Sequence, residues 1–126
     1  MAKRYTGTEI RASVARWLRW LDLENWQVTV RIGKIAGGHR GLCEADTDYR
    51  EAVLRFDPVQ MQKHGDELEE IVGHECYHLV HWKSHAAIQR LAKNGLAEAK
   101  LVAIEEAEVT HASRAFLRLA REGRLL

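Results

Sequence analysis

Apolar residues in the first segment of the chain recur at the spacing of a helix. From Thr8 to Leu23, Ile10, Val14, Trp17, Leu18 and Leu21 stand at i, i+4, i+7, i+8 and i+11, one stripe on a 3.6-residue period. Thr6 with Glu9 three residues later fits a capping box at the start of this helix, and Asn25 closes it. The period then changes to two. Trp26, Val28, Val30 and Ile32 alternate with Gln27, Thr29 and Arg31, as a half-buried strand requires. A glycine-rich turn, Ala36-Gly37-Gly38-His39-Arg40-Gly41, precedes two further strands, Leu42 to Asp46 and Arg50 to Phe56, joined through Thr47-Asp48-Tyr49. Asp57-Pro58 ends the third strand, because proline cannot donate to a ladder and suits a turn or a first helical position.

A second helix is predicted from about Asp66 to about Trp82, with Asp66 as N-cap and Glu67, Glu69 and Glu70 in the first turn, where the helix dipole favours acids. On its helical wheel Leu68, Ile71, Val72, Leu79 and Trp82 form one arc, and His74, His78, His81 and His85 form a narrow stripe beside it. The alanine- and leucine-rich stretch from Ala87 to Glu122 reads as one or two helices with a break at Asn94-Gly95. This order of elements indicates an α+β domain: helices packed on one face of a small, mainly antiparallel, three-stranded sheet. With 126 residues the chain supports one domain, 1–126, and any active site must lie on the core elements.

Composition narrows the partners. A chain that is 46% apolar with one proline is neither disordered nor collagenous, and 19 basic against 18 acidic residues give a net charge of +1, too little for a global field that demands a polyanion. No apolar run approaches the ~18 residues of a membrane span, and none follows the basic pair in MAKRYTGTE, so neither a membrane nor export is expected. Cys43 and Cys76 are too few for a disulfide framework and read as buried reduced thiols in the cytoplasm. Arg11, Arg16 and Arg19 near Trp17 and Trp20, and Arg114, Arg118 and Arg121, are what amphipathic helices show to solvent, so a nucleic-acid partner is not expected.

His74-Glu75-Cys76-Tyr77-His78 carries the chemistry. Histidines at i and i+4 share one helix face, so both can bind one Zn²⁺, while the intervening Glu75 reaches a metal-bound water. Zinc lowers the pKa of that water to about 7, Glu75 takes its proton as general base, and the hydroxide attacks a polarised carbonyl. A catalytic zinc needs a third protein ligand. Glu105 falls on the stripe Val102, Glu105, Val109, Ala112, Phe116 and is the acid expected to turn inward, with Glu106, His111 and His81 as alternatives. A transition-state oxyanion needs a further donor, for which Tyr77, His81, Tyr49 and His111 are available.

His74, Glu75 and His78, followed by a glutamate on a later helix, resemble the gluzincin pattern of zinc metallopeptidases. The short chain and its element order are similar to the minimal, single-domain minigluzincins and to small metallopeptidases of bacteria and their viruses. The resemblance rests on residues 42 to 116 and implies a hydrolase of peptide bonds with His74, His78 and Glu105 as ligands of one zinc per chain and Glu75 as base. It also implies that a protein or peptide substrate lies along the strand Arg50 to Phe56, and that some members are latent, with their own C-terminal segment in the cleft. The competing expectation is a metal-stabilised binding module or a nucleic-acid-associated accessory protein without proteolytic activity.

Overall fold

The computed structural model describes residues 3–46, 48–82 and 98–123. Four helices and a three-stranded sheet follow in the order α1 (Gly7–Trp20), β1 (Gln27–Ile32), β2 (Gly41–Asp46), β3 (Glu51–Phe56), α2 (Pro58–His64), α3 (Leu68–Val80) and α4 (Glu98–Arg121). The class is α+β. The possible break at Asn94-Gly95 lies outside the described residues; from Glu98 onward α4 is unbroken.

α1 begins as its sequence requires. Thr6 Oγ1 accepts from the Glu9 backbone N–H, and Glu9 Oε1 accepts from the Thr6 N–H, both at 3.1 Å. It ends at Trp20, ahead of the expected Leu23, so that Leu23 and Trp26 turn inward to pack with Ala52 and Leu79. The stripe Ile10, Val14 and Trp17 enters the larger core with Leu54, Phe56, Met61, Val72, Cys76 and Leu117.

The strand order is β1-β3-β2, with β3 parallel to β1 and antiparallel to β2. The sheet is therefore mixed, and its pairing is half parallel where a mainly antiparallel sheet was expected. Residues 33–40 carry the chain past the central position to the far edge, turning at Gly37 and Gly38, whose φ values of 82° and 73° suit glycine alone. The β2–β3 hairpin then returns β3 between the two earlier strands. β3 is thus paired on both sides and is not the free edge expected to receive a peptide. The edge that packs on α3 is β2.

Asp57 is buried and caps α2: its Oδ1 accepts from the N–H groups of Val59 and Gln60, its Oδ2 from that of Ile35, and Pro58 takes the first turn. This short helix is absent from the sequence reading, because seven residues with one buried apolar side chain, Met61, show no periodicity. The N-cap of α3 is Glu67, not Asp66; Asp66 instead accepts from Arg40 Nη1 at 2.9 Å, tying the glycine-rich turn to the start of α3.

α3 is the central helix, packed against α1, α4 and β2. Two features hold it to α1. Glu69 accepts from Ser13 Oγ, Trp17 Nε1 and Arg16 Nη2 at 2.8, 2.8 and 2.5 Å, three donors on one carboxylate. Gly73 lets the Trp17 indole lie directly on the helix backbone: a Cβ at that position would stand 2.5 Å from Cζ2.

Candidate metal centre

Close packing through Gly73 fixes the rotation of α3, and with it the face that carries His74 and His78. One turn apart, the two rings meet edge to face at 4.9 Å between centroids. Donor atoms of His74, Glu75 and His78 all lie within 4.8 Å of one another, a grouping that could hold a metal ion. The group lines a cleft of about 770 Å³ between β2 with its preceding turn on one side and α4 on the other.

α4 brings a carboxylate to the same point. Glu106 accepts from His74 Nε2 at 2.9 Å and from His78 Nε2 at 3.1 Å, one oxygen to each ring. Ligand atoms ~2.0 to 2.1 Å from a tetrahedral zinc lie about 3.3 Å apart, so this donor set fits a shared ion with little adjustment. Glu105 is buried as expected but stands on the other side of the His78 ring, its Oε1 3.6 Å from Nδ1, and does not line the cleft. The carboxylate that faces both Nε2 atoms is the alternative, Glu106. On the outer edge of His74, Thr110 Oγ1 lies 3.2 Å from Nδ1.

The electrostatics follow from this packing. Hydrogen bonds from His74 and His78 hold the Glu106 carboxyl far below the usual carboxylate range. Burial alone would lower the His78 pKa, but the hydrogen bond to Glu106 and the charges of Glu75, Glu106 and Glu105 outweigh it and raise the value. Burial raises that of Glu75 against the opposing influence of the two histidines. Glu75 rests on Gly41 at the start of β2, where a Cβ would be 2.9 Å from its Oε2. Cys43 and Cys76 are free thiols, Cys76 buried and Cys43 half-buried, both driven upward in pKa first of all by burial.

None of the four oxyanion donors considered from the sequence lines the cleft. Tyr77 packs against the core and Phe116, His81 caps the end of α3 beside Tyr77, Tyr49 is 76% exposed in the β2–β3 turn, and His111 faces solvent. His85 lies outside the described residues. The cleft is instead lined by His39, Arg40, His64, Thr110 and Arg114. Of these Thr110 and Arg114 carried a legible signal, standing one and two turns beyond Glu106 on the same face of α4.

No helix among the described residues is long and apolar enough to cross a membrane. Set against known protein families, characterised proteins and solved structures, the chain matches none.

Proposed function

We propose that this protein is a zinc-dependent metallopeptidase in which His74, His78 and Glu106 hold the metal and Glu75 is the general base. The observation that carries the reading is the convergence of two Nε2 atoms from α3 and a carboxylate from α4 at one wall of an open cleft, with Glu75 beside them. A bound zinc supplies Lewis acidity and makes water a nucleophile at neutral pH.

The chain's own groups account for the rest. Glu75, poised upward in pKa by burial, is suited both to take a proton from the attacking water and to return it to the leaving amine. Gly41 leaves its carboxylate room against β2. When the His74 Nε2 becomes a ligand its proton resides on Nδ1, which then donates to Thr110 Oγ1; the threonine fixes both tautomer and ring orientation. Glu105 Oε1 stands 3.6 Å from the Nδ1 of His78, near enough for its charge to favour a proton on that nitrogen. The outer edge of β2 offers a backbone ladder to an extended peptide, which brings a scissile carbonyl past Glu75.

The test joins metal analysis to hydrolysis. Protein purified without a histidine tag is expected to carry about one zinc per chain and to cleave peptides from a quenched-fluorescence library. Glu75→Gln retains the zinc and loses cleavage. Zinc-loaded wild type that cleaves no peptide and no unfolded protein refutes the peptidase reading, and absence of zinc binding refutes the site.

A further inference from the structure

Away from the metal cleft, the end of the sheet carries a second, strongly charged feature. A cavity of about 420 Å³ is lined by Arg11, Arg31, Lys34 and Arg55, and an adjoining one of about 460 Å³ by Arg4, Lys34 and Lys63. The two share Ile32, Gly33 and Lys34, so they adjoin as a groove on either side of the loop after β1, and neither shares a lining residue with the cleft. Six of the 19 Lys and Arg residues of a chain with net charge +1 therefore stand in one place. The field that the overall charge lacks exists locally.

Little in the groove neutralises it. Its one carboxylate among the described residues, Asp57, is buried and engaged with three backbone N–H groups. Among the described residues, Arg55 alone of the six cations is in an ion pair, with Glu44. Arg31 and Arg55 are register partners on adjacent strands, and while Glu44 compensates Arg55, no ion pair compensates Arg31 among the described residues.

We propose that this groove binds the phosphate backbone of a single-stranded nucleic acid. Guanidinium groups fork onto phosphate oxygens, and a concave, cation-lined groove tracks a chain-like polyanion in a way that a flat membrane surface does not use. Among the described residues no aromatic side chain lines it, so bases do not stack on them and binding is independent of sequence and steeply dependent on salt. The cations come from α1 and the segment before it, β1, the loop after it, β3 and α2, which is why no linear spacing reveals them. Two of the arginines that do show helical spacing are engaged elsewhere, Arg16 with Glu69 and Arg121 with Glu67.

The experiment is fluorescence anisotropy of a labelled oligothymidylate of about 20 nucleotides with the full-length protein, between about 50 and about 200 mM salt, with and without chelator. Binding is expected to survive chelation and to fall with a log–log slope of about −2 to −4, each phosphate contributing about −0.7. Arg31→Glu with Lys34→Glu weakens it by at least about tenfold and flattens the slope, whereas Arg114→Glu with Arg118→Glu, an equal change of charge on α4, leaves it unaltered. Arg31→Gln with Lys34→Gln serves if charge reversal prevents folding. No binding at the lowest salt, equal loss in both double variants, or equal competition by polyglutamate or anionic vesicles overturns the proposal. None of these outcomes depends on peptidase activity.

Discussion

Replacing Gly73 by alanine tests whether the contact between α1 and α3 sets the position of the candidate metal site. In a free helix the change is favourable by about 1 kcal/mol, since alanine is the best helix former and glycine among the worst. Here the new Cβ meets the Trp17 ring at 2.5, 2.6 and 2.9 Å, well inside the ~3.5 to 4.0 Å of a relaxed carbon contact. The indole cannot give way: it is fully buried, its Nε1 donates to Glu69 at 2.8 Å, and Trp20 and Phe116 stand 5.3 and 5.5 Å from its centre. The strain must separate α1 from α3, at the upper end of the ~1 to 3 kcal/mol that overpacking costs. Net of helix propensity, the loss is about 2 kcal/mol, a fall in Tm of roughly 6 to 10 °C for a chain of this length. Urea and thermal unfolding measure it, and a double-mutant cycle with Trp17→Phe isolates the cause, because a phenyl ring lacks Cζ2 and Cη2, the two atoms that clash most. In the phenylalanine background Gly73→Ala becomes neutral or stabilising, a coupling of about 2 kcal/mol or more. Additive effects, or a stable Gly73→Ala protein in the wild-type background, would refute this account of how α3 is seated.

Further expectations follow from the same contacts. Glu69→Ala strands the Ser13 hydroxyl and the Trp17 N–H without their acceptor and costs about 2 to 3 kcal/mol in urea unfolding; a loss below about 1 kcal/mol means that water replaces the carboxylate. Gly41→Ala presses a Cβ onto the Glu75 carboxylate and lowers kcat by about 10- to 100-fold with zinc content unchanged; loss of zinc instead shows that β2 itself has moved. In the metal-free protein, stability declines as pH rises from about 5 to about 8. Glu75 is raised in the fold, so the unfolded chain gives up this proton first, and the folded state bears a growing cost upward from the ordinary carboxylate pKa. His78 is also raised, so its contribution is complete below the ordinary histidine pKa and is lost as pH passes its folded value. Glu106 is lowered and contributes a constant amount across that range, lost only in strong acid. Thermal melts in chelator check this, Glu75→Gln should flatten the slope, and stability that rises with pH contradicts the assignment.

Much of the fold is legible because burial imposes a period. The α1 stripe and the alternation of β1 and β3 follow from which side of each element meets the core. Strand order is another matter. Val28, Val30 and Ile32 in β1 and Ala52, Leu54 and Phe56 in β3 show the same period of two, yet β3 is central and β1 an edge. A period of two reports which face is buried and says nothing about which strand lies alongside. The route of residues 33–40 across the end of β3 decides the order, and that is a property of the turn rather than of either strand.

The candidate metal site shows the same division between what burial specifies and what it leaves open. His74 and His78 are fixed by helical spacing alone. The proposed third ligand is not, because the argument from burial selects the carboxylate carried furthest inward. The buried ridge of α4 is Glu105, Val109, Ser113 and Leu117, and Glu105 does lie on it. A metal that must admit substrate would sit at the rim of the core, and the residues of α4 that border the cleft are Val102, Glu106, Thr110, Ser113 and Arg114. Glu106, 49% exposed at its side chain, is the acid on that border. The two glutamates are consecutive and so about 100° apart around the helix, enough to place one against Nε2 of both histidines and the other behind His78. Zinc affinity measured against a chromophoric chelator separates their roles. Glu106→Gln, which removes an anionic ligand, should weaken binding by well over about 100-fold, while Glu105→Gln, which alters only the group behind a ligand, should cost about 10-fold, within the range for outer partners. The reverse order would return the ligand to Glu105 and require α4 to rotate when the metal binds.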